Sequence, residues 1–296
     1  MGRLVVESNI GLLPCPFSSE LQWTEPSDFK QFLPPRRVDG HKGAYGHVSI
    51  LAGSIGYHGA GVLAARAALR ARPGLVSLYT QPDAYIPIAS QLQAAMVHRW
   101  TPQTHFPESC TAVVIGPGLA APDLGEPIRE GARQIWQDFP MPVVFDASAL
   151  DWLKPGPTPL NSRRVITPHP GEAARLLQTT VEVVQTNRVA ALRELSSRYG
   201  NCWVVLKGHQ TMIGRNSGEV YVNPSGNPFL AQGGTGDILA GYLGGLLAQP
   251  RLQANPLRTI RYAVWSHGAT ADRLQQTSPG WTTEDLASAL GDHPNR

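Results

Sequence analysis

Short apolar runs that alternate with helical patterns limit this chain to few folds. Runs such as Val48–Ala52 and Ala112–Ile115 are apolar throughout, which is typical of parallel strands covered by helices on both faces. The repeated order of strand and then helix predicts a doubly wound α/β domain. The predicted strands are 48–52, 75–79, 112–115, 143–146, 165–167 and 203–206, and the predicted helices between them are 60–70, 123–138 and 172–178.

The pattern changes after Leu206. Residues 211–213 and 219–222 flank a turn-rich stretch, 214–218. This arrangement predicts an antiparallel hairpin at one edge of the sheet. Three more helices are predicted, at 235–248, 256–274 and 283–290.

The first 40 residues differ from the rest. They hold one short apolar run, Leu4–Val6, followed by five prolines among polar residues. We interpret residues 1–40 as an N-terminal arm or linker and residues 41–296 as the folded domain.

Composition excludes several classes of protein. Hydrophobic residues make up 42% of the 296 residues, and 25 Lys and Arg against 22 Asp and Glu give a net charge of +3, which is too small to indicate nucleic-acid binding. Cys15, Cys110 and Cys202 lie far apart, which excludes a disulfide framework and a cysteine zinc site. No apolar stretch reaches the roughly 18 residues of a membrane span. We expect a cytoplasmic protein with neither a nucleic-acid nor a membrane partner.

Glycine and polar residues follow four of the predicted strands. In an open α/β sheet, ligands bind at the carboxyl ends of the strands. We therefore expect these turns to line one crevice. The segments are 53–61, 116–118, 168–172 and 207–208.

The loop 227–237 is the most informative segment. Gly233, Gly234 and Thr235 directly precede or open a predicted helix, so their N–H groups could cradle an anion at its positive end. Asp237 lies in the first turn. It could merely complement the helix dipole, but an anion cradle beside a carboxylate is also what phosphoryl transfer to a hydroxyl requires.

Two other nucleotide motifs fit less well. The segment 116–121 matches the dinucleotide fingerprint G-x-G-x-x-A. However, Pro117 removes an N–H where a pyrophosphate would need one, and Pro122 with Asp123 places the helix start after the motif. A Walker A motif is absent from the sequence.

His169 and Glu172 are spaced as an H-x-x-E pair. Pro170 with Glu172 in a first turn is also ordinary helix-start chemistry. Among metals we favour Mg²⁺ at Glu172, directly or through water, because Mg²⁺ prefers carboxylate, water and phosphate oxygens.

Several of these motifs together resemble one family. The segments HKGAYGHVSILAGS, TPHPGE, VVLKGHQT and GNPFLAQGGTGDILAG are similar to those of the ADP-dependent NAD(P)H-hydrate dehydratases, which belong to the ribokinase-like superfamily. The resemblance runs from about His41 to Leu290 and implies a mostly parallel sheet with helices on both faces and an edge hairpin. In this family the domain is often fused behind an epimerase domain, and 4–13 is similar to the end of one. Ser148 and Arg72-Pro73 depart from the family pattern and leave fine substrate contacts or subunit packing open, but not the reaction.

The resemblance also implies roles for individual residues. Asp237 matches the catalytic residue, and Glu172 matches the carboxylate that organises magnesium in kinase relatives. The positions matching contacts to the hydrated nicotinamide nucleotide are Ala60, Gly118, His169 and Asp237. The positions matching the adenine-nucleotide site are Lys207, Gly208, His209, Gln210, Thr211 and Gly236.

The implied activity is repair of damaged NADH and NADPH. The enzyme would dehydrate (6S)-NAD(P)H hydrate with ADP as co-substrate and Mg²⁺ as cofactor, releasing AMP and phosphate. Relatives suggest a homotetramer. Two alternatives stay open: a ribokinase-like kinase of the hydroxymethylpyrimidine or hydroxyethylthiazole type, and a nucleotide sensor without turnover. The sequence does not decide between ADP and ATP, or between the NADH and NADPH hydrates.

Overall fold

Ten strands form one sheet in the computed structural model, which describes residues 21–122, 124–158 and 163–292. The strands are β1 (Leu21–Trp23), β2 (His47–Leu51), β3 (Leu75–Thr80), β4 (Met96–Arg99), β5 (Ala112–Ile115), β6 (Val143–Phe145), β7 (Arg164–Ile166), β8 (Trp203–Leu206), β9 (Thr211–Gly214) and β10 (Val220–Asn223). Their order is β1-β10-β9-β8-β7-β6-β5-β2-β3-β4. Only β9 runs antiparallel to its neighbours, β8 and β10, so the prediction of a mostly parallel sheet is confirmed.

Helices cover both faces of this sheet. They are α1 (His58–Arg70), α2 (Tyr85–Ala89), α3 (Glu126–Asp138), α4 (Pro170–Leu177), α5 (Val181–Thr186), α6 (Arg188–Arg198), α7 (Thr235–Leu247), α8 (Pro250–Gln253), α9 (Pro256–Thr277) and α10 (Thr283–Ala289). One apolar cluster joins the sheet to α1, α7, α9 and α10, and a second joins it to α3, α4, α5 and α6. The central strands are therefore buried on both faces, which explains their uninterrupted apolar character.

The alternation of side chains along β5 shows how one strand serves both clusters. Ala112 and Val114 point into the first cluster, whereas Val113 and Ile115 point into the second. Successive side chains of a strand lie on opposite faces, and all four residues are fully buried.

Helix α7 lies very close to the sheet and to α1 because its inner face carries glycine. A Cβ atom on Gly241 would lie 2.0 Å from the carbonyl oxygen of Ala64, and one on Gly244 would lie 2.0 Å from a methyl group of Val114. No side chain fits either gap. These contacts fix the axis of α7, and with it the position of the helix start that the sequence analysis singled out.

The chain before residue 41 differs from the expected arm. Leu21–Trp23 forms β1, which pairs in parallel with β10. Phe29 and Phe32 are buried against α9, where the Phe32 ring centroid is 4.4 Å from that of Tyr262. Of the prolines that suggested a linker, Pro26 lies between these anchor points, and Pro34 and Pro35 follow them. Residues 1–20 lie outside the described residues, and the boundary at residue 40 stays a prediction.

Some elements were not predicted. The predicted hairpin exists as β9 and β10, but β1 lies beyond it and forms that edge of the sheet. Strand β4 and helices α2, α5, α6 and α8 were also missed. They are short, or they carry too few apolar residues to show a period: α6 buries only Ala191, Leu192, Leu195 and Ser196.

Two properties of the whole chain can be checked in the described residues. None of their helices combines the length and the apolar character needed to cross a bilayer. Cys110 and Cys202 are buried and not bonded to another cysteine; Cys15 lies outside the described residues.

Candidate active site

The loops after β2 and β5 are joined by hydrogen bonds. The N–H of Gly53 donates to the carbonyl of Pro117 at 2.8 Å, and the hydroxyl of Ser54 donates to the carbonyl of Gly118 at 2.6 Å. A Cβ atom on Gly118 would lie only 2.7 Å from the Cβ of Ala60. The structure thus brings the two predicted substrate contacts, Ala60 and Gly118, side by side at the carboxyl ends of neighbouring strands.

A buried ion pair lies at the carboxyl ends of β6 and β8. Asp146, directly after β6, accepts hydrogen bonds from the Lys207 ammonium at 2.8 Å and from the Thr167 hydroxyl at 2.6 Å. The side chain of Asp146 is 2% exposed and that of Lys207 is 19% exposed. Burial by itself would lower the pKa of Lys207, but the carboxylates of Asp146, Glu172 and Asp237 raise it above its ordinary value. Lys207 therefore stays charged at neutral pH.

Glu172 lies beside this pair and also begins α4. Its Oε2 accepts the N–H of His169 at 2.7 Å, while Nδ1 of His169 accepts the N–H groups of Gly171 and Glu172. This reciprocal arrangement is a capping box. Nζ of Lys207 is 3.8 Å from Oε2 of Glu172. The helix-start interpretation of Glu172 is thus confirmed, and its carboxylate also belongs to the charged cluster; its role as a Mg²⁺ ligand stays a prediction.

The start of α7 faces the same cluster. Gly234 has a φ of +98°, which permits the sharp turn into the helix and which side chains rarely adopt. A Cβ on Gly236 would lie 3.4 Å from Nζ of Lys207, whereas one on Gly233 would meet nothing within 4 Å. The Thr235 hydroxyl donates back to the carbonyls of Leu230 and Gln232. The N–H of Thr235 also donates to the carbonyl of Gln232, at 3.5 Å, and the part of Thr235 in an anion cradle stays a prediction.

Asp237 has the most perturbed carboxyl group of the site. Burial, together with repulsion from Asp146 and Glu172, raises its pKa to about 7, and attraction to Lys207 opposes the rise. Such a value suits a group that gains and loses a proton at neutral pH. The sequence placed Asp237 in the first turn of a helix, but it contained no sign of this perturbation.

A buried histidine contacts the backbone at the start of α7. Nε2 of His267, on α9, lies 3.0 Å from the carbonyl oxygen of Thr235. Burial lowers the pKa of His267 to about 4, so the ring is neutral at pH 7 and Nε2–H donates to that carbonyl. The sequence pattern gave no indication of this role for His267.

The predicted nucleotide segment forms the turn between β8 and β9. The N–H of Lys207 donates to the carbonyl of Pro168 at 2.8 Å, which ties this turn to the loop that carries His169. The Thr211 hydroxyl donates to the carbonyl of Gly208 at 3.1 Å. His209 is exposed and Gln210 is half-buried. Of the predicted site residues, Lys207 and Gly236 meet at the ion pair, and the rest of this turn is exposed or half-buried.

The side chains near Glu172 suit a magnesium ion that is coordinated mainly by phosphate oxygens and water and only in small part by the protein. No group of three or more His, Cys, Asp and Glu side chains in the described residues could hold a metal ion. Mg²⁺ commonly binds through one or two carboxylates together with phosphate oxygens and water. Glu172, whose Oε1 makes only a 3.5 Å contact to Nε2 of His169, fits that role.

The segment 116–121, which matches the dinucleotide fingerprint, lacks the helix start that this motif requires. Helix α3 begins at Glu126, so the motif does not open a helix. The amide groups of Ala120 and Ala121 lie 3.3 and 3.1 Å from Oγ of Ser54, where they hold the two loops together.

The fold and this site define a ribokinase-like α/β protein. A ribokinase-like superfamily protein of Enterococcus faecalis superimposes with a TM-score of 0.79 at 25% identity, covering 94% of this chain and 97% of that one. The family model for NAD(P)H-hydrate dehydratase matches residues 48–291. The chain belongs to the NAD(P)H-hydrate dehydratase family.

Individual relatives agree with this assignment. The ADP-dependent (S)-NAD(P)H-hydrate dehydratase of Neisseria meningitidis is 36% identical over 261 residues, which cover 84% of each chain. A crystal structure of the ADP/ATP-dependent NAD(P)H-hydrate dehydratase of Bacillus subtilis, co-crystallised with ATP and Mg²⁺, gives a TM-score of 0.77 at 32% identity, covering 87% of this chain and 92% of that one.

Longer relatives match over part of their length. The bifunctional NAD(P)H-hydrate repair enzyme Nnr of Coxiella burnetii is 37% identical over 282 residues, which cover 93% of this chain and 56% of the relative. The chain thus spans about half the length of the bifunctional relatives that it matches.

Proposed function

We propose that this chain dehydrates the hydrates of NADH and NADPH with the help of ADP, regenerating NAD(P)H and releasing AMP and phosphate. The observation that carries the proposal is the position of Asp237, half-buried at a glycine-rich helix start beside Lys207, Asp146 and Glu172. The names of the relatives in the same family supply the substrate and the co-substrate.

The chemistry needs a better leaving group than hydroxide. In the proposed reaction the ring hydroxyl attacks the terminal phosphorus of ADP, and the bond to the bridging oxygen breaks so that AMP leaves. The C–O bond of the resulting phosphate ester then breaks, a proton leaves the neighbouring ring carbon, and the double bond of the nicotinamide ring is restored. Atoms balance as hydrate plus ADP giving NAD(P)H, AMP and phosphate.

Asp237 is the proposed proton acceptor in this reaction. With a pKa near 7, its carboxylate can take the hydroxyl proton when the oxygen attacks. The free N–H groups around Gly233 and Gly234 would stabilise the charge on the transferring phosphoryl group. The ion pair with Asp146 fixes the Lys207 ammonium, which would then lie between the two ligands.

The remaining predicted residues divide between the two ligands. Ala60, Gly118 and His169 would contact the hydrated nicotinamide nucleotide. The turn 207–211 and Gly236 would hold ADP. Mg²⁺, held by Glu172, water and phosphate oxygens, would neutralise phosphate charge when bound.

One assay tests the proposal against its alternatives. The protein is incubated with NADPH hydrate, ADP and Mg²⁺, and the absorbance of reduced nicotinamide is followed together with the release of AMP. Equal amounts of recovered NADPH and AMP support the proposal. A phosphorylated product that persists would indicate a kinase, and binding without turnover would indicate a nucleotide sensor. The expected assembly of several identical chains stays a prediction, which light scattering can test.

A further inference from the structure

Arg188, in the first turn of α6, donates hydrogen bonds to the backbone of the turn between β8 and β9. Its Nη1 donates to the carbonyls of His209 at 2.5 Å and Gln210 at 3.2 Å. Its Nη2 donates to those of Leu206 at 3.0 Å and Lys207 at 3.4 Å. One guanidinium group therefore binds four of the five carbonyl oxygens between residues 206 and 210.

This turn needs such support because its backbone is strained and exposed. Gly208 has a φ of +132° and Gln210 a φ of +55°; the second value is unfavourable for a residue with a side chain. Gly208 and His209 are exposed, so burial of side chains does not fix the turn. The hydrogen bonds to Arg188 fix the carbonyls of this turn toward α6, and the N–H of Lys207 is fixed by the carbonyl of Pro168.

The charge of Arg188 is also not neutralised by a neighbouring acid. Within the described ranges, no carboxylate forms an ion pair with this guanidinium group. Burial lowers the pKa of Arg188 from its ordinary value, and no charged neighbour contributes to the shift. An arginine starts so far above neutral pH that it remains a cation. A positive charge beneath an exposed turn favours an anion bound on its outer side.

We propose that Arg188 is a positioning residue for the diphosphate of the adenine nucleotide. It fixes the turn 207–210 in the conformation that receives the phosphates, and it adds positive potential there without touching the ligand. This inference rests on the proposed function only in taking that turn as the nucleotide site. It adds a positioning residue outside the turn that no motif in the sequence indicated.

Arg193 offers a matched control on the same helix. It is half-buried like Arg188, and its guanidinium group donates to the carbonyls of Arg215, Asn216 and Gly218 in the hairpin turn between β9 and β10. Removing either side chain costs a similar set of hydrogen bonds. Only Arg188 lies under the proposed nucleotide site.

The test measures ADP binding by calorimetry for the parent protein, Arg188→Ala, Arg188→Lys and Arg193→Ala, together with KM for ADP, KM for the hydrate and kcat. We expect Arg188→Ala to raise the Kd and KM for ADP by about 10- to 100-fold, because several charge-assisted hydrogen bonds are lost. KM for the hydrate and kcat at saturating ADP should change by less than a few-fold. Arg193→Ala should bind ADP like the parent.

Arg188→Lys separates charge from geometry and remains informative if the alanine variant does not fold. Lysine keeps the charge but lacks the planar fork that binds several carbonyls. We therefore expect the Kd of Arg188→Lys for ADP to lie between the values of the parent and of Arg188→Ala. If only the lysine variant folds, its Kd for ADP should still be clearly above that of the parent. Parent-like ADP affinity in a folded Arg188 variant, or equal losses in Arg188→Ala and Arg193→Ala, overturns the inference. If the parent binds ADP but does not turn over the hydrate, the proposed function fails while this comparison still stands.

Discussion

Replacing Asp237 with Asn should lower activity and raise stability at the same time. The substitution keeps the size of the side chain but removes its charge and its ability to accept a proton. If Asp237 accepts the hydroxyl proton, turnover should fall by roughly 10²- to 10⁴-fold. Parent turnover should rise with pH through about 7, since the pKa of Asp237 is raised to about 7 and only the carboxylate accepts a proton.

The gain in stability follows from the same pKa. In the unfolded chain the carboxyl group titrates near 3.8, and in the folded protein near 7. Between these values the folded protein binds more protons than the unfolded chain, so stability falls as pH rises and the loss is complete above pH 7. At about 1.36 kcal/mol per pH unit this loss is about 4 kcal/mol. Asn carries no charge, so the Asp237→Asn variant does not undergo this loss of stability.

Melting curves in the absence of ligands measure this difference. Domains of this order of size change Tm by roughly 2–4 °C per kcal/mol, so Asp237→Asn should melt on the order of 10 °C above the parent at pH 8. The two proteins should converge as pH falls toward 4. The same samples, assayed with NADPH hydrate, ADP and Mg²⁺, give the turnover.

Asp285→Asn is a control with the opposite sign. Its carboxylate accepts the N–H and the hydroxyl of Thr282, and these bonds lower the pKa of Asp285. Its contribution to stability is present above the unfolded pKa and is lost as pH falls, so this substitution should destabilise the protein at pH 8 without affecting turnover. An Asp237→Asn variant with turnover within a few-fold of the parent, or with a Tm difference independent of pH, would falsify the role given to Asp237.

Four further substitutions, the last two of them combined, test the structure around Asp237. Gly233→Ala adds a methyl group that meets no protein atom within 4 Å, so Tm should not change while ADP affinity by calorimetry falls about tenfold; unchanged affinity argues against an anion cradle. Gly241→Ala places a Cβ 2.0 Å from the Ala64 carbonyl oxygen and should cost about 1–3 kcal/mol in urea unfolding; a parent-like midpoint contradicts the close packing. Lys207→Ala leaves Asp146 buried without its cation and should cost about 3–5 kcal/mol. Adding Asp146→Asn should recover part of that loss, and no recovery would mean that the pair does not explain it.

The parts of the site that local sequence encodes were predictable. Glycines before Thr235 and an acid two residues later placed a helix start with Asp237 in its first turn, and α7 begins at Thr235. The apolar runs placed the central strands to within a residue or two, because full burial leaves an uninterrupted pattern. Pro170 and Glu172 likewise marked the start of α4. Each of these signals involves residues within a few positions of one another.

Contacts between distant residues were not predictable in this way. Asp146 and Lys207 are 61 positions apart, and nothing near either residue indicates that they pair. The support that Arg188 gives to the turn 207–210 comes from a helix whose polar composition hid it. The raised pKa of Asp237 depends on carboxylates contributed by two other elements. In all three cases the sheet topology, rather than the local sequence, creates the property.

The charges that topology brings together are not evenly distributed in the crevice. At the start of α7, the carboxylates of Asp237, Asp146 and Glu172 all lie near the ammonium group of Lys207. This end of the site therefore holds an excess of negative charge, which favours proton uptake by Asp237. On the side of the turn 207–210 that faces α6, Arg188 is a cation that has no acidic partner in the part of the chain that the structure describes. Its positive charge favours phosphate at this end of the site. Transfer from ADP to a hydroxyl needs a proton acceptor at one end and an anion site at the other. Lys207 lies between them, since its backbone belongs to the turn and its side chain to the carboxylate cluster.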